Sequence, residues 1–183
     1  NILKYWALSE KQDFHVIPTD TISISIDKDA VLRSGIMLPD SIRHLKGKEL
    51  KNAIPDKIYI SLKDMRILTK VDMLMLEMLA NCNWERPLYM AISVGEVSKL
   101  KFDHYFVQEG LAFRFTPFDY KKWGNVKGDN NYAIDVERLY ENVMNRYKYG
   151  GLDTPGLYLD ETTLRTCYYH RRLFAQLAKE LIR

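Results

Sequence analysis

Apolar positions recur along this chain in two rhythms, and each predicts a different element. In "TISISID" (21–27), Ile22, Ile24 and Ile26 alternate with polar residues, and a period of two predicts a half-buried edge strand. Asp27 stands where an N-cap belongs, ahead of a short helix "KDAVLRS" whose following Gly35 fits a left-handed C-terminal cap. The polar run "LPDSIRHLKGKELKNAIPD" then sets off an N-terminal arm, residues 1–56, from the body of the chain.

Beyond residue 57 the pattern becomes regular. Residues 57–62, 86–94 and 111–117 read as strands, with helical patterns between them over 69–82 and 102–110. Strands alternating with helices predict a βαβαβ unit, so the expected fold is α/β, a small, mostly parallel sheet with flanking helices. In the first of these helices Val71, Leu74, Met75, Met78, Leu79 and Cys82 follow helical spacing while Met73 and Leu76 widen the apolar face, which predicts a core stripe covered on more than one side, behind a Thr69 N-cap with Asp72 completing a capping box. A pliable methionine-rich groove is the alternative, and a core stripe is preferred. Residues 120–131, rich in Gly, Asn and Lys, read as an exposed loop, followed by a helix that stops near Gly150. The α/β core with its following helix spans 57–157, and a C-terminal helical extension capped by Asp160 spans 158–183. That helix keeps Leu173, Phe174, Leu177 and Leu181 on one face and carries no stop signal, which predicts that the sequence belongs to a longer polypeptide.

A length of 183 residues fits one domain or one domain with an appendage, and 46% hydrophobic against 28% charged residues is a globular composition. The net charge of +3 is spread along the chain. A modest cluster at Arg43, His44, Lys46, Lys48 and Lys51 lacks interleaved aromatics and reads as a solvated face, which argues against a nucleic-acid partner. No apolar run approaches the ~20 residues of a membrane span. Cys82 and Cys167 belong to no metal-ligand spacing and read as buried thiols, with a mutual disulfide as the alternative in an extracytoplasmic setting.

The four histidines are scattered, and no nucleophile-elbow, P-loop or dinucleotide-binding signature occurs. No catalytic residue, metal or cofactor is therefore assigned. In "NCNWERPLYMAIS" (81–93), Trp84 offers an aromatic platform and Arg86 a planar fork for an anion or sugar. The structural reading of the same stretch, a junction in which Trp84 packs and Pro87 opens a strand, is preferred. Acidic residues of the 119–135 loop, Asp119, Asp129 and Asp135, leave a stand-alone glycan hydrolase as a rival reading.

Three stretches, "IYISLKDMRILTKVDMLMLEMLANCNWERPLYMAIS", "DHYFVQEGLAFRFTP" and the run from "LYENVMNRYKYGGLD" to the C-terminus, resemble the soluble C-terminal region of bacterial membrane proteins similar to protein O-mannosyltransferases. The resemblance implies a multi-spanning parent of the GT-C glycosyltransferase type using a lipid-linked sugar, whose catalytic acidic residue has no counterpart here. It implies an extracytoplasmic, non-catalytic module at a bacterial membrane. Its expected partners are its own upstream transmembrane domain and an acceptor protein or glycan that it binds or positions. A purely structural connector is the alternative. The last helix is similar to the first helix of a tetratricopeptide-type repeat. On the expected parallel sheet, a ligand would sit at the C-terminal strand ends, near Lys63, Ser93, Gly95 and Pro117, with Trp84 and Arg86 at the opposite edge.

Overall fold

The computed structural model describes residues 20–63, 68–94, 102–124, 132–152 and 154–182. Strand β1 (Thr21–Ser25) pairs antiparallel with β2 (Lys57–Ser61), with Ile22 opposite Ile60 and Ile24 opposite Ile58. One face of this ribbon is apolar, as the alternation predicts, and the ladder joins residues on either side of position 56. Between the two strands lie α1 (Lys28–Arg33) and α2 (Gly47–Ala53). Asp27 caps α1 by accepting from the Asp29 and Ala30 amides, and Gly35 takes the left-handed conformation just beyond its end.

The mostly parallel sheet does not form. The second sheet is mixed, in the order β3 (Tyr89–Ala91), β5 (Ala112–Phe115), β4 (Phe106–Gln108), β6 (Ala133–Ile134). Only β4 and β6, among the described strands, run parallel. The predicted helix over 102–110 is instead a 3₁₀ turn (Asp103–Tyr105) followed by β4. Aromatic and β-branched residues flank a three-residue loop, Glu109 to Leu111, and that arrangement closes a hairpin with β5 instead of a crossover. Gly110 has a φ of +147°, and a Cβ there would run into the Tyr147 hydroxyl. The hydroxyl in turn accepts from the Leu111 amide at 2.9 Å.

Helix α3 (Lys70–Asn81) opens with the predicted capping box: Asp72 N donates to Thr69 Oγ1 and Thr69 N donates to Asp72 Oδ2. Its buried stripe is narrower than the predicted wide face and lies on the Met73, Leu76 and Leu79 side of it. Asp72, Met73, Leu76 and Leu79 face inward, whereas Val71, Leu74 and Met78 are exposed. The capping carboxylate itself turns into the protein, and the residues in register with it follow.

After α3, Asn83 and Trp84 both adopt left-handed backbone, with φ of 48° and 61°. A bulky residue rarely does so, and the conformation costs of order 1–3 kcal/mol. Here it drives the indole inward. Trp84 is 5% exposed, stacks on Phe115 at 5.5 Å, and donates from Nε1 to the Ser25 carbonyl at 2.8 Å. Because Ile26 N bonds across the ribbon to Asp56, the neighbouring Ser25 carbonyl points off the outer edge of β1. The indole N–H satisfies it there.

The main core runs from the ribbon and α1 through Trp84 to Phe102, Phe106, Phe115 and Phe118. A second, smaller cluster joins α4 (Val136–Glu141), its π-helical continuation Asn142–Arg146 and the C-terminal α5 (Glu161–Leu181) through Leu139, Val143, Leu173 and Leu177. Both cysteines are free thiols and half-buried. No helix among the described residues is long and apolar enough to cross a membrane.

Candidate functional site

The hairpin loop, α4 and the end of α1 meet at one buried carboxylate. Glu109 is 6% exposed and accepts from the Tyr89 hydroxyl at 2.9 Å and from Arg138 Nη1 at 3.1 Å, with Arg114 Nη1 at 3.5 Å. Its backbone carbonyl accepts from Asn142 Nδ2 at 2.6 Å. A buried carboxylate persists when its charge is met on several sides, and two guanidinium groups do that here. Burial, and then the Glu109 carboxylate, push the Tyr89 phenol above its ordinary pKa, which keeps it a donor.

Both arginines also reach the carbonyls that close α1. Arg114 Nη2 donates to Ser34 O at 2.8 Å, and Arg138 Nη2 donates to Gly35 O. A Cβ at Gly35 would stand 3.1 Å from Arg138 Nη2, so both the positive φ and the close approach call for glycine. Asp135 caps α4 through the Arg138 amide at 3.0 Å and holds Arg138 Nε at 3.5 Å. The network thus fixes the segment after α1 against the start of α4.

A groove opens between those two walls. One part, of about 540 Å³, is lined by Met37, Asp40, Arg43, Tyr132, Ile134, Glu137, Tyr140 and the end of α5 at Glu180 and Leu181. A second part, of about 650 Å³, shares Met37, Arg43, Asp135, Glu137 and Tyr140 and extends to Arg138 and Glu141. The first part is lined by Ile134 of β6, which among the described strands ends the sheet and pairs on its other side with β4. Half-exposed Tyr140 offers a ring, while Arg43, Glu137 and Asp40 offer charge. A groove of this size with aromatic and charged walls suits binding. Among the described residues no group of three or more His, Cys, Asp or Glu side chains is arranged to hold a metal ion.

The residues singled out from the sequence fall elsewhere. Trp84 and Arg86 line a void of about 10 Å³ together with Cys82 and Arg114, but the indole is engaged with Ser25 and Phe115. Arg86 is exposed, as are Lys63 after β2 and Ser93 after β3. Pro117 is buried beyond β5. Lys63 follows a strand of the other sheet, and because β3 and β5 are antiparallel, Ser93 and Pro117 lie at opposite ends of theirs. Gly95 and Asp129 lie outside the described residues. Asp119 accepts from the Lys122 amide at 3.2 Å and faces Lys122 Nζ and His104.

Sequence reasoning missed Glu109, Arg114, Arg138 and the groove. Two weak signals existed: an arginine between two phenylalanines in β5, and "AID" as a short strand running into an Asp N-cap.

Compared with models of known families, residues 2–137 match the one described as TMEM260-associated domain 2. No curated protein and no solved structure matches the chain. The match takes in both sheets and the first two residues of α4, and ends ahead of α5. Since it covers well over half of the sequence, this chain belongs to the TMEM260-associated domain 2 family.

Proposed function

We propose that this domain is a non-catalytic, extracytoplasmic module of a glycosyltransferase-like membrane protein, and that it binds or positions an acceptor protein or glycan in the groove beside β6. Family membership carries the reading, because it ties the domain to a membrane protein, and the sequence resemblance to protein O-mannosyltransferase-like proteins points the same way. The groove supports it: its walls are held in place by the Glu109 network, so a ligand meets a preformed surface. Asp119 and Asp135 support the non-catalytic part, since each caps a backbone N–H and faces a cation.

The test is binding of a Ser/Thr-rich peptide and of a mannose disaccharide, each followed by amide NMR shifts and calorimetry. One of them binds, with shifts around Tyr132, Ile134 and Tyr140, and Tyr140→Ala weakens it about tenfold, as expected for loss of one aromatic contact worth ~1.4 kcal/mol. Absence of binding by both at millimolar concentration, or hydrolysis of the disaccharide, overturns the reading.

A further inference from the structure

The edge strand β6 lines the groove at Ile134, and the polarity of that edge can be worked out. Asp135 N donates to Gln108 O at 3.0 Å, so the Asp135 amide points at β4. Successive residues of a strand direct their backbone groups to opposite sides, so the N–H and C=O of Ile134 point away from β4. Ile134 lines the groove, and β6 ends the sheet on that side among the described strands. An unpaired edge is a template for one more extended chain.

The walls suit such a chain. Met37 and Tyr140 stand on the two sides of the groove and offer apolar contact to side chains that alternate along an added strand. Charge is uneven across the two parts together: Asp40, Asp135, Glu137, Glu141 and Glu180 line them, against Arg43 and Arg138. Arg138 is engaged by Glu109 and Asp135, and Arg43 lies 3.6 Å from Asp40. Those pairs engage Asp40 and Asp135 as well, and Glu141 is held by Arg146 and Asn145, so the exposed carboxylate of Glu137, which lines both parts, is the charge that favours a cation.

From these observations we infer that the groove takes an extended polypeptide carrying a basic side chain, added in β-fashion along the free edge of β6, with its main chain paired to Ile134 and its cation near Glu137. The inference rests on the acceptor-binding reading above and narrows it to a peptide recognised chiefly through its backbone. Main-chain pairing gives such a mode its affinity and the side pockets its selectivity.

The experiment selects from a random nonapeptide display library on the immobilised chain and compares three proteins: the parent, Glu137→Lys and Ile134→Pro. Proline at 134 removes an outward N–H and leaves the bonds to β4 untouched. Glu137→Lys keeps the backbone and reverses one wall charge, so it serves should Ile134→Pro fail to fold. Peptides enriched in Lys or Arg on the parent, with at least tenfold weaker binding to either folded variant, are expected. A selected peptide is then remade with alternate amides N-methylated, and its binding falls at least tenfold for one of the two methylation registers. Equal binding in both registers, or no basic enrichment, overturns the β-addition while leaving the acceptor-binding function standing. Binding of the mannose disaccharide with no peptide enrichment does the same in favour of a glycan site. No binding of either class overturns both.

Discussion

Among the described residues, the main apolar cluster gathers twenty buried ones, largely from the ribbon, α1, α3 and the mixed sheet, whereas the second has four, from α4, its π-helical continuation and α5. The first contains a chain of aromatic contacts, Trp84 on Phe115 and Phe115 against Phe102, Phe106 and Tyr105, so one side chain touches many elements. The second packs on Ile92, Leu111 and Ile134 of the sheet region and is tied to it further by the Glu109 network. The groove lies along this junction, where Ile134 belongs to the second cluster and Ala133 to the first. Apolar area sets stability in one region, and paired charge sets position in the other.

The largest effect follows from cutting the first region at its hub. Trp84→Ala removes the stacking on Phe115 and leaves the Ser25 carbonyl without its donor, and large-to-small core changes of this kind cost about 3–5 kcal/mol. Urea denaturation reads it as a fall in midpoint for the whole chain. Leu177→Ala in the second cluster creates a cavity too, yet with only four buried members there the expected result is selective loss of amide-exchange protection in α5. Equal loss of protection in β1 and α5 in the Leu177 variant would erase the distinction between the regions.

Next in size is the joint itself. Glu109→Gln keeps shape but leaves Arg114, which is 3% exposed, without a counter-charge, at a cost of about 3 kcal/mol. Because Arg114 and Arg138 also hold Ser34 and Gly35, amide shifts are expected to spread to Met37 and Tyr140 across the groove. A destabilised variant whose shifts stay within the hairpin would mean that the network does not position the groove.

How much of this the sequence carried depended on range. Caps were legible, because Asp27, Thr69 with Asp72, Gly35 and Asp160 act within a few residues. The period of two in β1 was legible for the same reason. The strand over 111–117 is legible, but a helical period over "FDHYFVQEG" (102–110) suggests a crossover and a parallel sheet, although the aromatic and β-branched residues on either side of Gly110 carry a hairpin signal. Arg114 between Phe113 and Phe115 suggests a solvated side chain on a one-faced strand. Its burial depends on Glu109, Arg138 and the Ser34 carbonyl, and the last of these is 80 positions away. The groove is assembled from positions 37 to 181, so no local pattern announces it.

The smallest effect concerns which region responds to acid. His104 sits at the rim of the first cluster, its ring 4.6 Å from that of Tyr105 and its Nε2 3.6 Å from Asp119 Oδ2. Burial pushes its imidazole below the ordinary value of about 6.5, and the pull of Asp119 only partly opposes this, with Lys122 adding to the depression. The folded chain therefore prefers neutral His104 more than the unfolded chain does. In the window just below pH 6.5 the unfolded state binds more protons, so this group's contribution is complete above that window and is lost as pH falls through it. Thermal melts between pH 7.5 and 5.5 should show a shallower decline for His104→Gln than for the parent. Exchange measured at the same two pH values should show the parent's extra loss in β4 and β5, ahead of α5. Parallel melting curves for the two proteins would show that proton binding at His104 does not separate the two regions.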